Sequence, residues 1–161
     1  MTYYNAIAQG YDQLHKEEQL NKLRAISVYI KPKGTLLDVG CGTGISTAFF
    51  KVPHKTGIDP SDKLLTLAKQ KYPHITFMQA AAEDIPCADH SFDVVISLTA
   101  IQNFSNIEQG LKEIKRVGKQ QFILSYMKKT QKAQLIDVWI TDLFSQAKRY
   151  EIYQDIVWVV G

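Results

Sequence analysis

Residues Leu36-Leu37-Asp38-Val39-Gly40-Cys41-Gly42-Thr43-Gly44 form an apolar strand that runs into a glycine-rich turn, with an acid two positions before the first glycine. Glycines at 40, 42 and 44 allow positive φ in the turn and let backbone approach a ligand where any Cβ would collide. The Ile-Ser-Thr-Ala-Phe-Phe that follows reads as a helix start whose free N–H groups face that ligand. At 161 residues with 45% hydrophobic content, the chain has material for one sizeable core and little room for a second.

Alternation of element types extends from this turn in both directions. Leu20, Leu23, Ile26 and Ile30 recur at helical spacing, and Pro32-Lys33-Gly34 stops that helix before the first strand. The turn's helix is expected to reach about Lys51, with a second strand over Lys55 to Asp59. Ser61 then caps a helix carrying Leu64, Leu65, Leu67 and Ala68, which ends before Pro73. Strands follow at Ile75 to Met78 and Phe92 to Leu98. Ser105-Asn106-Ile107-Glu108 has capping-box form and opens a helix that Gly118 closes. A fifth strand covers Gln121 to Tyr126, and a last helix spans Thr130 to Phe144. Arg149 to Val160 supplies one long strand or two short ones meeting near Gln154-Asp155, a dipeptide with poor hairpin chemistry; two short strands are favoured. Such alternation predicts an α/β fold, a mostly parallel sheet with helices on both faces and the ligand at the carboxyl ends of the strands.

The strand, Asp38 and the three glycines together resemble the first motif of the class I S-adenosylmethionine-dependent methyltransferases. The resemblance implies a Rossmann-like methyltransferase fold with S-adenosyl-L-methionine as cofactor; the chain departs from the family's usual form in having a shortened antiparallel C-terminal edge, since only Arg149 to Val160 is available for it. A nicotinamide-binding protein is the rival, but its fingerprint spaces the glycines G-x-G-x-x-G, and here the third falls one position early. Both readings use an acid after the second strand, and Asp59, followed by Pro60, is placed to accept from ribose hydroxyls. Ala82-Glu83-Asp84-Ile85-Pro86 decides between them. In the methyltransferases a loop of this type holds the adenine, a carboxylate accepting from its exocyclic amine and an apolar side chain lying on the ring. The resemblance thus assigns Asp38, Gly40, Cys41, Gly42, Gly44, Asp59, Pro60, Glu83, Asp84, Ile85 and Leu98 to the cofactor. Taken singly, Asp59 also reads as a helix cap and Glu83-Asp84 as a solvated turn.

The family's catalytic motif falls on Ser97-Leu98-Thr99-Ala100-Ile101-Gln102-Asn103-Phe104. It lacks the prolines of the Asn/Asp-Pro-Pro-aromatic type and is closer to the Ser-x-x-Ala-x-Gln-aromatic stretch of an enzyme that methylates guanine N7 in ribosomal RNA. This resemblance makes Thr99, Gln102 and Asn103 the candidate catalytic residues, with Gln102 and Asn103 orienting a base edge. The alternative is a polar helix entry. RNA is accordingly the first-ranked acceptor, a small molecule the second and a protein the third. Lys112, Lys115, Arg116, Lys119, Lys128, Lys129 and Lys132 form a basic set suited either to phosphates or to a solvated helix face.

Tyr3 to Asp12 resembles the leader that folds over the cofactor in many members, with Tyr4 and Tyr11 shielding the sulfonium; packing of a first helix is the other reading. One methyltransferase domain over 1–161 is expected, comprising a lid and helix over 1–31, a cofactor core over 35–128 and a last helix with edge strands over 129–161. The net charge of +3 permits a nucleic-acid partner without demanding one, and Cys41 and Cys87 lack metal or disulfide spacing. The N-terminus has neither the basic start nor the apolar core of a signal peptide, so no membrane association and a cytoplasmic location are expected. The chain is also similar in size and layout to minimal methyltransferases that need a zinc-ribbon activator paired to a sheet edge. Here Ile156 to Val160 would supply that edge.

Overall fold

The computed structural model describes residues 3–31 and 34–161, with side chains from residue 14 onward. The chain divides into two compact units, Met1–Ile30 and Lys31–Gly161. The first is a single helix, α1 (Tyr3–Ser27), which carries the apolar spacing read from the sequence. The expected stop at Pro32-Lys33 and the side chains of Tyr4 and Tyr11 lie outside the described residues.

The second unit is one seven-stranded sheet. Its elements are β1 (Thr35–Val39), α2 (Ile45–Phe49), β2 (His54–Asp59), α3 (Asp62–Lys71), β3 (Thr76–Gln79), β4 (Phe92–Ser97), a 3₁₀ turn (Ile101–Asn103), α4 (Ile107–Val117), β5 (Gly118–Met127), α5 (Ala133–Leu143), β6 (Lys148–Ile152) and β7 (Asp155–Val160). The strand order is β3-β2-β1-β4-β5-β7-β6. The first five strands are parallel, and β7 pairs antiparallel with both β5 and β6. The expected α/β architecture and antiparallel C-terminal edge are therefore both present.

Period-two alternation places the core. Leu37, Val39, Val95, Phe122, Leu124, Tyr126, Ile156 and Trp158 form one buried cluster with Ile107, Leu111, Ile114 and Val117 of α4 and Ile136 and Ile140 of α5. Cys41 and Phe77 join Leu65 and Ala68 of α3 in a second, smaller cluster. Gly118 takes α4 directly into β5, because a Cβ there would lie 2.4 Å from the Phe122 ring. Asp137 ties α5 to the antiparallel edge: its Oδ1 accepts from Tyr126 Oη at 2.5 Å and from Trp158 Nε1 at 2.9 Å. Its Oδ2 pairs with Arg149 Nε at 3.4 Å. Burial, then this carboxylate, pushes the Tyr126 phenol up to about 12.

Four expectations shift. The helix after the glycine turn ends at Phe49 rather than Lys51. The cap of α4 is Asn106, whose side chain accepts from Gln109 N–H at 3.0 Å; Ser105 is drawn away because its own N–H donates to Glu83 Oε1 at 3.2 Å. The hairpin turns at Tyr153-Gln154, with Tyr153 at φ 52°, one residue before the expected place. Asp155 belongs to β7, where its carboxylate is buried and bonded. Finally, Ile156 to Val160 is no edge: β7 lies between β5 and β6, and the edges are β3 and β6. Lys148, Arg149 and Glu151 on β6 are the kind of charges that discourage strand addition.

Replacing Asp137 by Ala leaves the buried Tyr126 hydroxyl and Trp158 indole N–H without their acceptor. Unfolding in urea should show a loss of about 2–3 kcal/mol at unchanged m-value, with Asp137→Asn costing less because an acceptor oxygen stays.

Candidate active site

Register brings the candidate residues together. Asp38 lies opposite Gly57 on β2 and Ile96 on β4, and Asp59 lies opposite Gln79 on β3, so the carboxyl ends of four parallel strands share one rim. Between β1 and β4 the chain's crossovers reverse direction, which is where open α/β sheets place their ligands. The glycine turn occupies this point: a Cβ on Gly40 would lie 2.8 Å from Ala100 Cβ in the turn after β4.

Gly40, Gly42 and Gly44 have φ of 79°, 56° and 87°. Gly40 and Cys41 both donate their N–H to Ile58 O, at 2.8 and 3.0 Å, folding the turn across the end of β2. Gly42 N–H donates to Asp59 Oδ2 at 3.0 Å, and Ser61 N–H donates to Asp59 Oδ1 at 2.9 Å. Asp59 thus locks the turn to the start of α3 in the local cap-like role. Cys41 is buried, and burial pushes its thiol up, out of reach of nucleophilic chemistry. Pro60 is exposed at the rim and accepts at its carbonyl from Gln79 Nε2.

Asp38 is 0% exposed. Its Oδ2 accepts from Ser46 Oγ at 2.6 Å and Thr47 Oγ1 at 2.8 Å, while Oδ1 is buried with no hydrogen-bond partner. Burial raises the carboxyl to about 6, against the lowering effect of the two hydroxyls. Sequence reading passed over Ser46 and Thr47, although two adjacent hydroxyls on the first turn of α2 are suited to a buried acid just before the glycines.

The acidic loop is held from α4. Glu113 Oε2 accepts from Ile85 N–H at 2.9 Å, and Arg116 Nη2 donates to Ile85 O at 2.8 Å. Arg116 also donates to Cys87 O and Asp89 Oδ1 and pairs with Glu113. The Glu113-Arg116 spacing of three residues on a helix was the available signal for this clamp. Glu83 bonds Ser105 N–H through Oε1 and keeps a buried Oε2 without partner, and Asp84 is exposed. Ile85 is 2% exposed and packed in the main core, so its side chain serves packing rather than an open ring-binding face.

After β4, Leu98 and Ala100 are half-buried and Asn103 is exposed. Thr99 N–H donates to Ser125 Oγ at 2.8 Å and Thr99 Oγ1 to Asp155 Oδ2 at 2.6 Å. Gln102 Nε2 donates to Thr99 O, and its Oε1 accepts from Met127 N–H. The Gln102 amide is therefore engaged on backbone rather than presented to a base. Much of the basic set is likewise paired: Lys112 with Glu108, Arg116 with Glu113 and Asp89, Lys119 with Asp93, and Lys128 with Glu151.

These residues fit S-adenosylmethionine. A Cβ on Gly42 would meet nothing within 4 Å, an open cradle beside Asp59, and the orphaned oxygens of Asp38 and Glu83 are acceptors that await donors. Among the described residues, no group of three or more His, Cys, Asp or Glu is placed to hold a metal, and no helix is long and apolar enough to cross a membrane.

Gly42→Ala should weaken cofactor binding about tenfold or more in calorimetry, because its methyl enters the cradle, while the positive φ costs only about 1 kcal/mol in a denaturant melt. The raised Asp38 carboxyl gives a pH signature. Below about pH 4 it is protonated in both folded and unfolded chains, and as pH rises to about 6 the unfolded chain ionises first. Wild type should therefore lose stability relative to Asp38→Asn across that window, by about 2–3 kcal/mol, and stay lower above it. Denaturant titrations at fixed pH steps measure this.

A methyltransferase domain family model matches residues 37–124. Among curated relatives, a demethylmenaquinone methyltransferase of Chlorobaculum parvum is 42% identical over 87 residues, 52% of this chain and 36% of that protein. Another from Porphyromonas gingivalis is 36% identical over 132 residues, covering 71% of this chain and 54% of its own length. The chain thus spans about half or less of the curated relatives it matches. Among solved structures, a SAM-dependent methyltransferase from Thermotoga maritima superposes with TM-score 0.77 at 19% identity, covering 98% of this chain and 96% of the other. A Haloferax volcanii methyltransferase solved with the Trm112 activator gives 0.72 at 15% identity, covering 98% and 93%. With its glycine turn, Asp59 and acidic loop at the shared rim, this chain belongs to the methyltransferase domain family, whose methyl donor is S-adenosylmethionine.

Proposed function

We propose that this chain transfers the methyl group of S-adenosylmethionine to a small aromatic acceptor of quinol type rather than to RNA. The observation that carries this reading is the turn after β4, where two of the three polar side chains expected at the acceptor, Thr99 and Gln102, are engaged on the protein itself and only Asn103 is exposed. Thr99 is bonded to Asp155 and Ser125, and Gln102 to Thr99 and Met127 backbone. Half-buried Ala100 lies beside Gly40, and Leu98, also half-buried, adds a second apolar side chain to the same turn. Ion pairing of Lys112, Arg116, Lys119 and Lys128 leaves a weaker grip for a phosphate backbone than their number suggests. The similarity to the demethylmenaquinone methyltransferases of Chlorobaculum and Porphyromonas supports the same choice.

When bound, S-adenosylmethionine supplies an electrophilic methyl on a positively charged sulfur. The protein's part is to hold that methyl in line with the acceptor and to keep water away. The Gly40–Gly44 backbone and Asp38 take the methionine side, Asp59 the ribose, and the loop at Glu83 and Asp84 the adenine. A quinol ring carbon would attack with the electron density of its own hydroxyl, S-adenosylhomocysteine leaving as a neutral thioether and the ring proton passing to solvent as aromaticity returns, so the turn after β4 needs shape more than a general base.

Labelled S-adenosylmethionine incubated with the purified chain and, separately, a reduced demethylated naphthoquinone, total RNA and a protein extract tests this. Label is expected in the solvent-extractable quinone; label confined to RNA or protein overturns the reading. Transfer by the chain alone also removes any need for an activator paired with β3 or β6.

A further inference from the structure

The turn after β4 is held in a conformation its own residue resists. Thr99 has φ 55°, a left-handed value that β-branched residues rarely adopt. Three hydrogen bonds converge to hold it there. Thr99 N–H donates to Ser125 Oγ at 2.8 Å, Ser125 Oγ donates to Asp155 Oδ2 at 3.0 Å, and Thr99 Oγ1 donates to the same oxygen at 2.6 Å. Gln102 completes the hold by donating to Thr99 O at 2.9 Å. Ser125 is 0% exposed and Asp155 2% exposed, so the carboxylate acts well away from bulk water.

We propose that Asp155 is a positioning residue for methyl transfer. Through Thr99 and Ser125 it fixes the backbone that sets Leu98 and Ala100 against the acceptor. The inference rests on the reading above that this turn faces the acceptor. A buried carboxylate is an expensive way to stabilise a fold, since apolar residues of similar volume serve as well or better. Strained backbone held by over-determining contacts collects where geometry matters to chemistry. Here it lies at the sheet's switch point, next to Gly40.

The location also separates two roles. Apart from Leu98, the groups assigned to the cofactor sit at the ends of β1 and β2, in the glycine turn and in the loop after β3, joined by the Gly42-Asp59 and Asp38-Ser46-Thr47 bonds. Asp155 and Ser125 sit on β7 and β5, across β4 from them, and these two sets of bonds share no residue. Loosening Asp155 therefore changes the turn and spares the cofactor cradle.

Thr99→Val keeps the branched shape and removes the hydroxyl, Thr99→Ser keeps the hydroxyl, and Asp155→Asn provides a second route should Thr99→Val fail to fold. For Thr99→Val and Asp155→Asn, amide hydrogen exchange at residues 98–103 should accelerate about tenfold or more, with exchange at 40–44 unchanged. Their cofactor Kd by calorimetry should stay within about twofold, while kcat on whichever acceptor takes label falls about 10- to 100-fold. Thr99→Ser should return both exchange and kcat to within about threefold of the parent. Unchanged exchange and kcat in Thr99→Val and Asp155→Asn overturn the proposal, as does a parallel loss of cofactor affinity or a failure of Thr99→Ser to rescue. If no quinol takes label, the acceptor reading fails by itself, and the exchange and affinity measurements still decide for or against Asp155.

Discussion

The structure turns on one buried carboxylate. Asp38 sits at the end of the central strand, closed off from solvent and held on one oxygen by Ser46 and Thr47. Those two bonds draw the five-residue α2 down onto β1 and so give the glycine turn its shape from behind. In front, Asp59 takes the Gly42 N–H and fixes the same turn to β2 and α3. A flexible tri-glycine segment is thereby pinned at both ends by acids from adjacent strands. Burying Asp38 costs free energy in the absence of a ligand, and its unpartnered Oδ1 is where a bound cation or donor recovers part of that cost.

Two helices divide the remaining work. On one side of the rim, Glu113 and Arg116 of α4 grip both backbone groups of Ile85, so the acidic loop is as rigid as the helix behind it. On the other, Asp137 of α5 collects Tyr126, Trp158 and Arg149, binding the antiparallel edge to the helix layer. The first acts through the backbone of the acidic loop and the second through the antiparallel edge. Each converts a loop or strand end that would otherwise fluctuate into a fixed wall, which is what in-line methyl transfer requires.

The fold was legible because its signals are local. The apolar alternation of β1, β4 and β5, the Ser61 cap and the Gly40–Gly44 turn each specify their conformation within a few residues, and the alternation of strands and helices points to a mostly parallel sheet. What was not legible depends on contacts remote in sequence. Ser105 lost its cap to Asn106 because Glu83, 22 positions earlier, takes its N–H. Gln102, a base-orienting candidate by resemblance, has its amide bonded to Thr99 O and Met127 N–H, contacts its own neighbours in sequence do not reveal. Asp155 gave no sign at all: an acid after a turn is ordinary in sequence, and only the return of β7 beside β5 brings it 2.6 Å from Thr99.

That return path has a consequence for how the molecule is made. β7 is synthesised after β6 yet lies inside it, between β5 and β6. During synthesis β6 emerges with no strand to join, and the sheet stays open on that side until β7 follows and inserts. Asp155 arrives with the same strand. A chain without β7 lacks the Asp155 that holds Thr99. The strand that closes the β5 side of the sheet and the carboxylate that holds Thr99 are thus one element.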